Sequence, residues 1–371
     1  MSQYFLPAIS LLDSQPDIKD SGAAYYQFAL FADRQYHTMM KSPDSIRMKL
    51  YVDRKRKEVE ERTRESYQSY GSHQSTTDKA LERAKKVLEE DEHRYDEHIR
   101  AQVTFLKQAV SMYSRSLLVS DDFDDDSAIR LCSLWFANFD FDKENFQSEL
   151  AAAVANVPSR KLVVLAHQLT ARLGRTEAMS KSSGQNILQP LLRRMCREHP
   201  FHSLYQVFCL QSDGDVSSSS DRRRSGRYST SMSQVDRSTA AVSLFDQLLS
   251  EGDTQGRTKD IRILCEASLA FANYPLKEQY KSRRPPSSIP IPVAQRLRTI
   301  QNLRVPVMTV DTPLDPTSRY DDCIWVQKYE PQFSTAGGLN LPKIGICVGS
   351  NGKSYKQLVS RIPVFMHRSQ W

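Results

Sequence analysis

The sequence predicts a mainly α-helical protein, in which a solenoid of paired helices is followed by an antiparallel β-sheet. Up to Ala272, apolar residues recur at steps of three and four, the spacing of one face of an α-helix. Beyond a proline-rich segment at Tyr280–Pro292 they alternate instead, as they do in strands. The low glycine content, 13 of 371 residues, also favours long helices over an all-β fold.

The clearest predicted helix covers Thr77–Val119, where an apolar stripe runs along one face and charged residues occupy the other. Other segments with helical spacing are Ala23–Lys41, Pro43–Ser69, Ser127–Asn138, Pro158–Leu173, Ile187–Glu198, Pro200–Leu210, Ala240–Leu249 and Lys259–Ala272. Helical pairs joined by short polar turns are typical of an α-solenoid. Because the spacing follows no strict period, the repeats are degenerate.

The serine- and arginine-rich segment Ser212–Thr239 interrupts the helices. Its composition cannot bury enough apolar surface to offset an ordering cost of about 1–2 kcal/mol per residue. We therefore predict a disordered loop, with a nuclear-localisation or phosphate-binding patch at Arg222–Arg224 as the alternative. Limited proteolysis is expected to cut this segment first, and strong protection of its amides in hydrogen exchange would contradict the prediction.

Strands are predicted after the proline-rich linker, at Val305–Val310, Cys323–Tyr329, Lys343–Val348 and Ser354–Val359. The sequence Gly349–Gly352 (GSNG) between the last two favours a tight hairpin turn, because Asn-Gly tolerates positive φ. The helical body therefore leads through a linker into an antiparallel sheet.

Composition limits the function classes. The net charge of +7, from 51 basic and 44 acidic residues, is a small excess that does not favour direct contact with nucleic acid. The six cysteines form no CxxC pair, so no metal site is predicted, and they indicate reduced thiols in a cytosolic or nuclear protein. No apolar run approaches the roughly 20 residues of a membrane span, and no secretory signal is evident. His199 and His202, which flank Phe201, are predicted to be structural and not catalytic.

The segment Ala336–Lys343 (AGGLNLPK) is the candidate binding loop. Its two glycines would allow backbone N–H groups to approach an anion without a Cβ in the way. The segment matches neither GxxxxGK[ST] nor GxGxxG, so on the motif alone a plain β-turn remains the alternative.

Several separated motifs of the sequence carry a resemblance to a known family. One is the string from Phe333 through Val348, together with Gly349–Lys353 and Gln357–Val359. The others are Tyr4–Leu12, Ala29–Tyr36, Arg130–Trp135, Leu165–Gly174 and His199–Leu204. In their order along the chain they resemble the phosphatidylinositol 3-kinase-related protein kinases, and among them most closely the ataxia-telangiectasia-mutated (ATM) family. The first string resembles the opening of the kinase domain, and the others resemble the last part of the helical FAT domain.

The resemblance implies a domain organisation. Residues 1–275 would form a FAT-type solenoid of TPR-like repeats, with the disordered insertion at 212–239. Residues 276–304 would be a proline-rich linker with a connecting helix, and 305–359 the start of the kinase N-lobe. Residues 360–371 match nothing in the family, which predicts a truncated or misassembled gene product, with a genuine shortened isoform as the alternative.

The resemblance also implies a cofactor, ATP with magnesium. The residues of the loop over the phosphates would be Ala336, Gly337, Gly338, Leu339, Asn340, Leu341, Pro342 and Lys343, and Leu358 would line the adenine pocket. The family's next residue after Gln-Leu-Val is a lysine that pairs with the phosphates, and here that position is Ser360. The Gly-Asp-Arg-His and Asp-Phe-Gly segments have no counterpart. No catalytic or metal-binding residue is therefore assigned, and whether this chain is itself an enzyme stays open.

The implied parent is a nuclear serine/threonine kinase that phosphorylates Ser/Thr-Gln sites in the DNA damage response and in telomere maintenance. Such a parent would dimerise and would engage DNA-break sensor complexes and other protein partners through its solenoid. This chain alone is predicted to be inactive. The alternative is a non-catalytic helical module that binds partner proteins.

Overall fold

The computed structural model describes residues 5–14, 20–68, 74–141, 145–174, 183–216, 232–276, 280, 286–336 and 342–360. The chain divides into two compact units. Unit 1 comprises Met1–Lys161 with Ser182–Gly184, and unit 2 comprises Leu162–Lys181 with Gln185–Trp371.

Unit 1 is helical throughout its described part. Its helices are α1 (Phe5–Ser14), α2 (Ser21–Lys41), α3 (Pro43–Gln68), α4 (Gln74–Val119), α5 (Asp124–Ala137), α6 (Phe146–Asn156) and most of α7 (Ser159–Leu162). The helices predicted within this unit are confirmed to within three residues at each end. Helix α6, FQSELAAAVAN, was not predicted, because its alanine run offers little amphipathic contrast.

The core of unit 1 is organised around α4, whose 46 residues extend for about 70 Å. Helices α2, α3, α5 and α6 all pack against it. The apolar stripe of α4 is buried as its spacing predicts, with Leu106, Tyr113 and Leu117 inaccessible to solvent. Phe28 of α2 and Trp135 of α5 are the large side chains that close this core.

Unit 2 begins with shorter helices. They are α8 (Ala166–Thr170), α9 (Ser183–Glu198), α10 (Pro200–Val216), α11 (Met232–Ser250) and α12 (Gln255–Ala272), with a 3-10 turn at Val163–Leu165 before α8. The single helix predicted at Pro158–Leu173 is thus broken into three short pieces. Among the described helices, none is both long enough and apolar enough to cross a membrane.

The predicted disordered segment, Ser212–Thr239, is wrong at both ends. Helix α10 continues to Val216, and α11 begins at Met232. Helices α10 and α11 pack against each other along their apolar parts, and the helical conformation continues from there into their polar ends. Residues 217–231, which include Arg222–Arg224, lie outside the described residues.

An antiparallel sheet follows the helices of unit 2. Its strands are β1 (Ile289–Pro290), β2 (Gln301–Pro306), β3 (Trp325–Thr335), β4 (Lys343–Gly349) and β5 (Ser354–Val359). Strand β3 is central, because β1 and β2 both pair with it, β4 also pairs with it, and β5 lies beyond β4. The predicted fold class, helices followed by a small antiparallel sheet, is confirmed.

The sheet begins earlier than predicted. The first strand is predicted at Val305–Val310, whereas a two-residue strand, β1, lies inside the proline-rich linker, where Ile289 pairs with Phe333, and β2 begins at Gln301. A two-residue edge strand containing proline has no periodicity to reveal it, and only the cross-strand partner defines it. The predicted connecting helix is a 3-10 turn at Arg296–Thr299.

The hairpin between β4 and β5 is as predicted. Gly352 has a φ of 74°, the left-handed conformation that glycine adopts without strain. Its N–H donates to the Gly349 carbonyl at 2.8 Å, and the Gly349 N–H donates to the Lys353 carbonyl at 2.9 Å. The turn therefore fixes the register in which β5 pairs with β4.

Candidate nucleotide-binding site

The predicted phosphate loop connects β3 to β4. The Ala336 N–H donates to the Pro342 carbonyl at 2.8 Å, and the preceding pair, Thr335 and Lys343, is the last pair of the ladder. The two ends of the loop are thus held together at its mouth. Gly337, Gly338, Leu339, Asn340 and Leu341 lie outside the described residues.

Strands β4 and β5 present two different faces. Residues directly opposite each other in an antiparallel pair lie on the same face. Ile344 is opposite Leu358, and Ile346 is opposite Lys356. We call the side that carries these four residues the open face, because both isoleucines are half-buried and Leu358 is 64% exposed.

The open face is where the structure places the predicted adenine-side residue, Leu358. It also brings Ile344 beside Leu358, two residues from the loop mouth at Pro342. Sequence reasoning missed Ile344 as a site residue, although its register opposite Leu358 follows from the GSNG turn. An apolar pair next to a loop that can offer backbone N–H groups suits a flat ring joined to phosphates.

Cations also lie near this face. Lys356 is exposed on the open face, opposite Ile346, and was not considered as a site residue from the sequence. Lys353 is exposed on the β4–β5 turn. Ser360 directly follows β5 and carries no charge.

The opposite side of the hairpin is packed. Phe333 of β3 meets Phe271 of α12 edge to face, with ring centroids 5.0 Å apart. The Tyr329 hydroxyl donates to Gln357 Oε1 at 2.7 Å. Burial raises the pKa of Tyr329 well above its usual value, and burial raises the pKa of the Cys347 thiol to about 11. Both groups are therefore neutral near pH 7 and serve packing, not chemistry.

Lys343 differs from the other predicted loop residues. Its side chain is on the packed side, only 5% exposed, and its Nζ donates to the Ala272 carbonyl at 2.7 Å. The Lys343 ammonium is thus committed to the end of α12, on the side away from the open face.

The β2–β3 connection is fixed to the start of α10. The Tyr320 hydroxyl lies 2.8 Å from His199 Nδ1 and 3.2 Å from His202 Nδ1, and His202 Nε2 lies 3.0 Å from the Thr312 carbonyl. Phe201 packs edge-on against the Tyr320 ring, at 5.1 Å between centroids. Both histidines are hydrogen-bonded, as the sequence predicts for structural residues.

Tyr320 is held in this position against its own backbone preference. Its φ is +61°, which is uncommon for a residue other than glycine. The Asp315 carboxylate compensates by accepting the Tyr320 N–H at 2.7 Å and the Arg319 N–H at 3.1 Å. The Tyr320 backbone bond, followed by the Thr317 hydroxyl and backbone bonds, lowers the pKa of Asp315 to about 2.

Tyr320→Phe is expected to lower the free energy of unfolding of unit 2 by about 1–2 kcal/mol, because the buried hydroxyl that bridges the two histidines is lost. Tyr355→Phe is the matched control, since its hydroxyl bonds to Asn351 at the surface, and it should cost less than about 0.5 kcal/mol. Hydrogen exchange of the β3 amides measures both. Equal losses of stability in the two variants would contradict the role of the Tyr320 hydroxyl as the bridge between the two histidines.

Comparison with known proteins identifies the relatives of the chain. No family model matches it. It is 28% identical over 361 residues to the serine/threonine-protein kinase TEL1 of Cryptococcus neoformans, and 30% identical over 348 residues to the serine-protein kinase ATM of Sus scrofa. The chain is homologous to the Tel1/ATM serine/threonine kinases. These alignments cover 95% and 91% of the chain but only 11% of each relative.

Solved structures support the same fold. The FAT and kinase domain of CtTel1 superposes with a TM-score of 0.73 at 24% identity, covering 96% of this chain and 22% of that one. The complete CtTel1 dimer with C2 symmetry gives 0.73 and covers 97% of this chain and 12% of that one. The helices and sheet described above therefore occur together within the Tel1 FAT and kinase domain.

The residues fit the two parts of the implied cofactor unequally. For the adenine, Ile344 and Leu358 offer an apolar contact on the open face, whereas at the loop mouth the Ala336 N–H is already bonded to the Pro342 carbonyl. For magnesium, the described ranges include no group of three His, Cys, Asp or Glu side chains that could hold a metal ion. We therefore assign no magnesium ligand.

Proposed function

We propose that this chain is the FAT–kinase junction of an ATM-type serine/threonine kinase and contributes one wall of its ATP site. The phosphates would lie under the loop Ala336–Lys343, and the adenine would lie against Ile344 and Leu358. The observation that carries the proposal is the closed loop mouth directly beside the cross-strand pair of half-buried Ile344 and exposed Leu358. The homology to Tel1/ATM kinases supports it.

The residues of this chain would bind and orient ATP. Backbone N–H groups in the loop would neutralise part of the phosphate charge, and the two apolar side chains would remove water from the adenine. The γ-phosphate supplies the transferable group, and transfer depends on positioning and on charge stabilisation. The Ser360 hydroxyl carries no charge for that step, so we propose that these 371 residues bind ATP weakly and do not transfer phosphate.

The wider role follows from the relatives. The parent would phosphorylate Ser/Thr-Gln sites in the DNA damage response and in telomere maintenance, and would act at chromosomes in the nucleus. Its helices would bind protein partners, DNA-break sensor complexes among them. The likeness to a C2-symmetric CtTel1 dimer supports a homodimeric parent.

The second candidate is a non-catalytic helical module. It is favoured by unit 1, a helical body whose described part contributes nothing to the candidate site. The genomic reading frame past Val359 distinguishes the two. A nearby exon encoding Lys-Gly and then Leu-Arg-Gln-Asp supports the kinase, whereas an in-frame stop supported by transcripts supports the module.

Leu358→Asp is expected to abolish the response of the sheet to ATP, because a carboxylate on the open face repels the nucleotide and removes an apolar contact. Hydrogen exchange with and without millimolar ATP measures this. In the wild type, ATP should slow hydrogen exchange at the amides of residues 334–336, 343–346 and 354–359. The matched control is Leu50→Asp on α3, a leucine that is also 64% exposed, which should leave the response intact. No slowing in the wild type, or equal loss in both variants, would refute the nucleotide site.

A further inference from the structure

Lys343 is a buried cation at the mouth of the loop. It is the first residue of β4 and lies across from Thr335, the last residue of β3. Burying an ammonium group is costly unless the group is paired, so a lysine that is 5% exposed at this point has specific partners. Lys353, ten residues on, is exposed on a turn and shows what an ordinary surface lysine of this hairpin looks like.

The partner of Lys343 is the C-terminal end of α12. Its Nζ donates to the carbonyl of Ala272, the last residue of that helix, at 2.7 Å. The nearby carbonyls of Leu269 and Phe271 accept from Asn273 and Tyr274. A helix C-terminus carries unpaired carbonyls and a partial negative charge, so a lysine ammonium is a suitable cap.

The same helix end also contacts the strand on the other side of the loop. The Lys343 Nζ lies 5.7 Å from the centroid of the Phe271 ring, within the range of a cation–π contact. Phe271 in turn packs edge-on against Phe333 of β3, which pairs with Gly345 of β4. The last turn of α12 thus touches both strands that lead into the loop.

We propose that Lys343 is a positioning residue that ties the mouth of the loop to the last turn of α12. By this contact α12 fixes the position of the loop mouth at the start of β4, next to the open face, and therefore how strongly the sheet holds ATP. The predicted effect of Lys343 on ATP binding rests on the proposed function. The contact by which Lys343 holds the loop mouth to α12 does not depend on it. A displacement of the α12 end would be transmitted to the loop through Lys343.

Hydrogen exchange without nucleotide tests the tie itself. Lys343→Met keeps the length and apolar stem of the side chain but removes the ammonium. It should speed exchange at the amides of residues 334–336, 343 and 344 by about tenfold or more, because a buried charged hydrogen bond is lost. The α10 amides should not change. Lys343→Arg should restore most of the protection, and Lys353→Met should have no effect.

A purely structural role makes a different prediction. It would speed exchange across all of unit 2 in Lys343→Met, and that result would overturn the proposal, as would unchanged exchange at the loop mouth. Should Lys343→Met fail to fold, Phe271→Leu replaces it. That variant removes the ring beneath the ammonium together with its packing against Phe333, and it should speed exchange at the same amides.

Titration with ATP tests the consequence for binding. Lys343→Met should require about tenfold more ATP for the same slowing of residues 354–359, and Lys343→Arg should return this to near the wild-type concentration. If ATP slows exchange in the wild type and Lys343→Met needs no more ATP for the same slowing, the proposal is overturned. If ATP slows no amide in the wild type, the proposed function fails, and exchange at the loop mouth without ATP still decides whether Lys343 holds the loop.

Discussion

Asp33→Asn is expected to lower the free energy of unfolding of unit 1 by about 2–4 kcal/mol. Asp33 is 2% exposed on α2, and Arg130 of α5 donates to both of its carboxylate oxygens at 2.8 Å. The Tyr113 hydroxyl of α4 donates to Asp33 Oδ2 at 3.0 Å, and His37 Nδ1 lies 2.8 Å from Oδ1. One carboxylate therefore joins three helices, and an amide in its place leaves the Arg130 charge without its bidentate partner.

The direction of this effect follows from the groups around Asp33. Burial, followed by the charge of Asp33, raises the pKa of Tyr113, so its hydroxyl remains a donor at neutral pH. Because Arg130 is 38% exposed, solvent screens its charge when Asp33 is replaced. The expected loss in free energy of unfolding is therefore smaller than for a fully buried ion pair.

Hydrogen exchange of the α4 amides near Tyr113 measures the cost within unit 1. The control is Asp53→Asn, which removes an exposed carboxylate 3.6 Å from Arg56 and should change stability by less than about 0.5 kcal/mol. A cost for Asp33→Asn as small as that of the control would show that the buried network contributes little.

The second large effect is the absence of catalysis: these 371 residues, purified alone, are expected to transfer no phosphate to a Ser-Gln peptide. Phosphoryl transfer needs a cation on the phosphates, bound metal ions and a group that orients the hydroxyl. Of the basic residues near the loop, Lys343 is committed to Ala272, Lys353 lies on the turn, and Lys356 lies opposite Ile346, two residues further from the loop mouth than Leu358. At the position where the family resemblance implies a lysine, this chain has the uncharged Ser360.

Radiolabelled transfer with magnesium and with manganese is the assay, and Ala336→Trp, which obstructs the loop mouth, is the control. Ser360→Lys is expected to rescue nothing, because one cation does not supply the metal ligands or the orienting group. Turnover above the control, in protein free of any full-length kinase, would contradict the expectation.

The helices of this protein could largely be predicted from the sequence. The stripe on α4 recurs over more than ten turns, so its periodicity is clear, and the predicted and observed bounds differ by three residues at most. The ends of α10 and α11 could not be predicted in the same way. Both are polar, and they are helical because the apolar parts of these helices pack together.

The candidate site could be predicted only in part. The GSNG turn and the alternation of β5 specify which residue lies opposite Leu358, so Ile344 was within reach of sequence reasoning. The orientation of the Lys343 side chain could not be predicted from the sequence, because its partner, Ala272, lies 71 residues earlier in the chain. Tyr320 likewise meets His199 across 121 residues, and no local pattern reports such a contact.

Photolabelling with 8-azido-ATP tests the central claim, that the loop mouth and the open face form one wall of an ATP site. The whole chain is irradiated with the probe at millimolar concentration, and the labelled peptides are mapped by mass spectrometry. The account predicts that label appears within residues 342–360 and is competed away by ATP. It also predicts that this label is lost in Leu358→Trp and retained in Leu50→Trp, a control at a leucine of equal exposure. Label that is spread over the helices of unit 1, or that ATP does not displace, would contradict it.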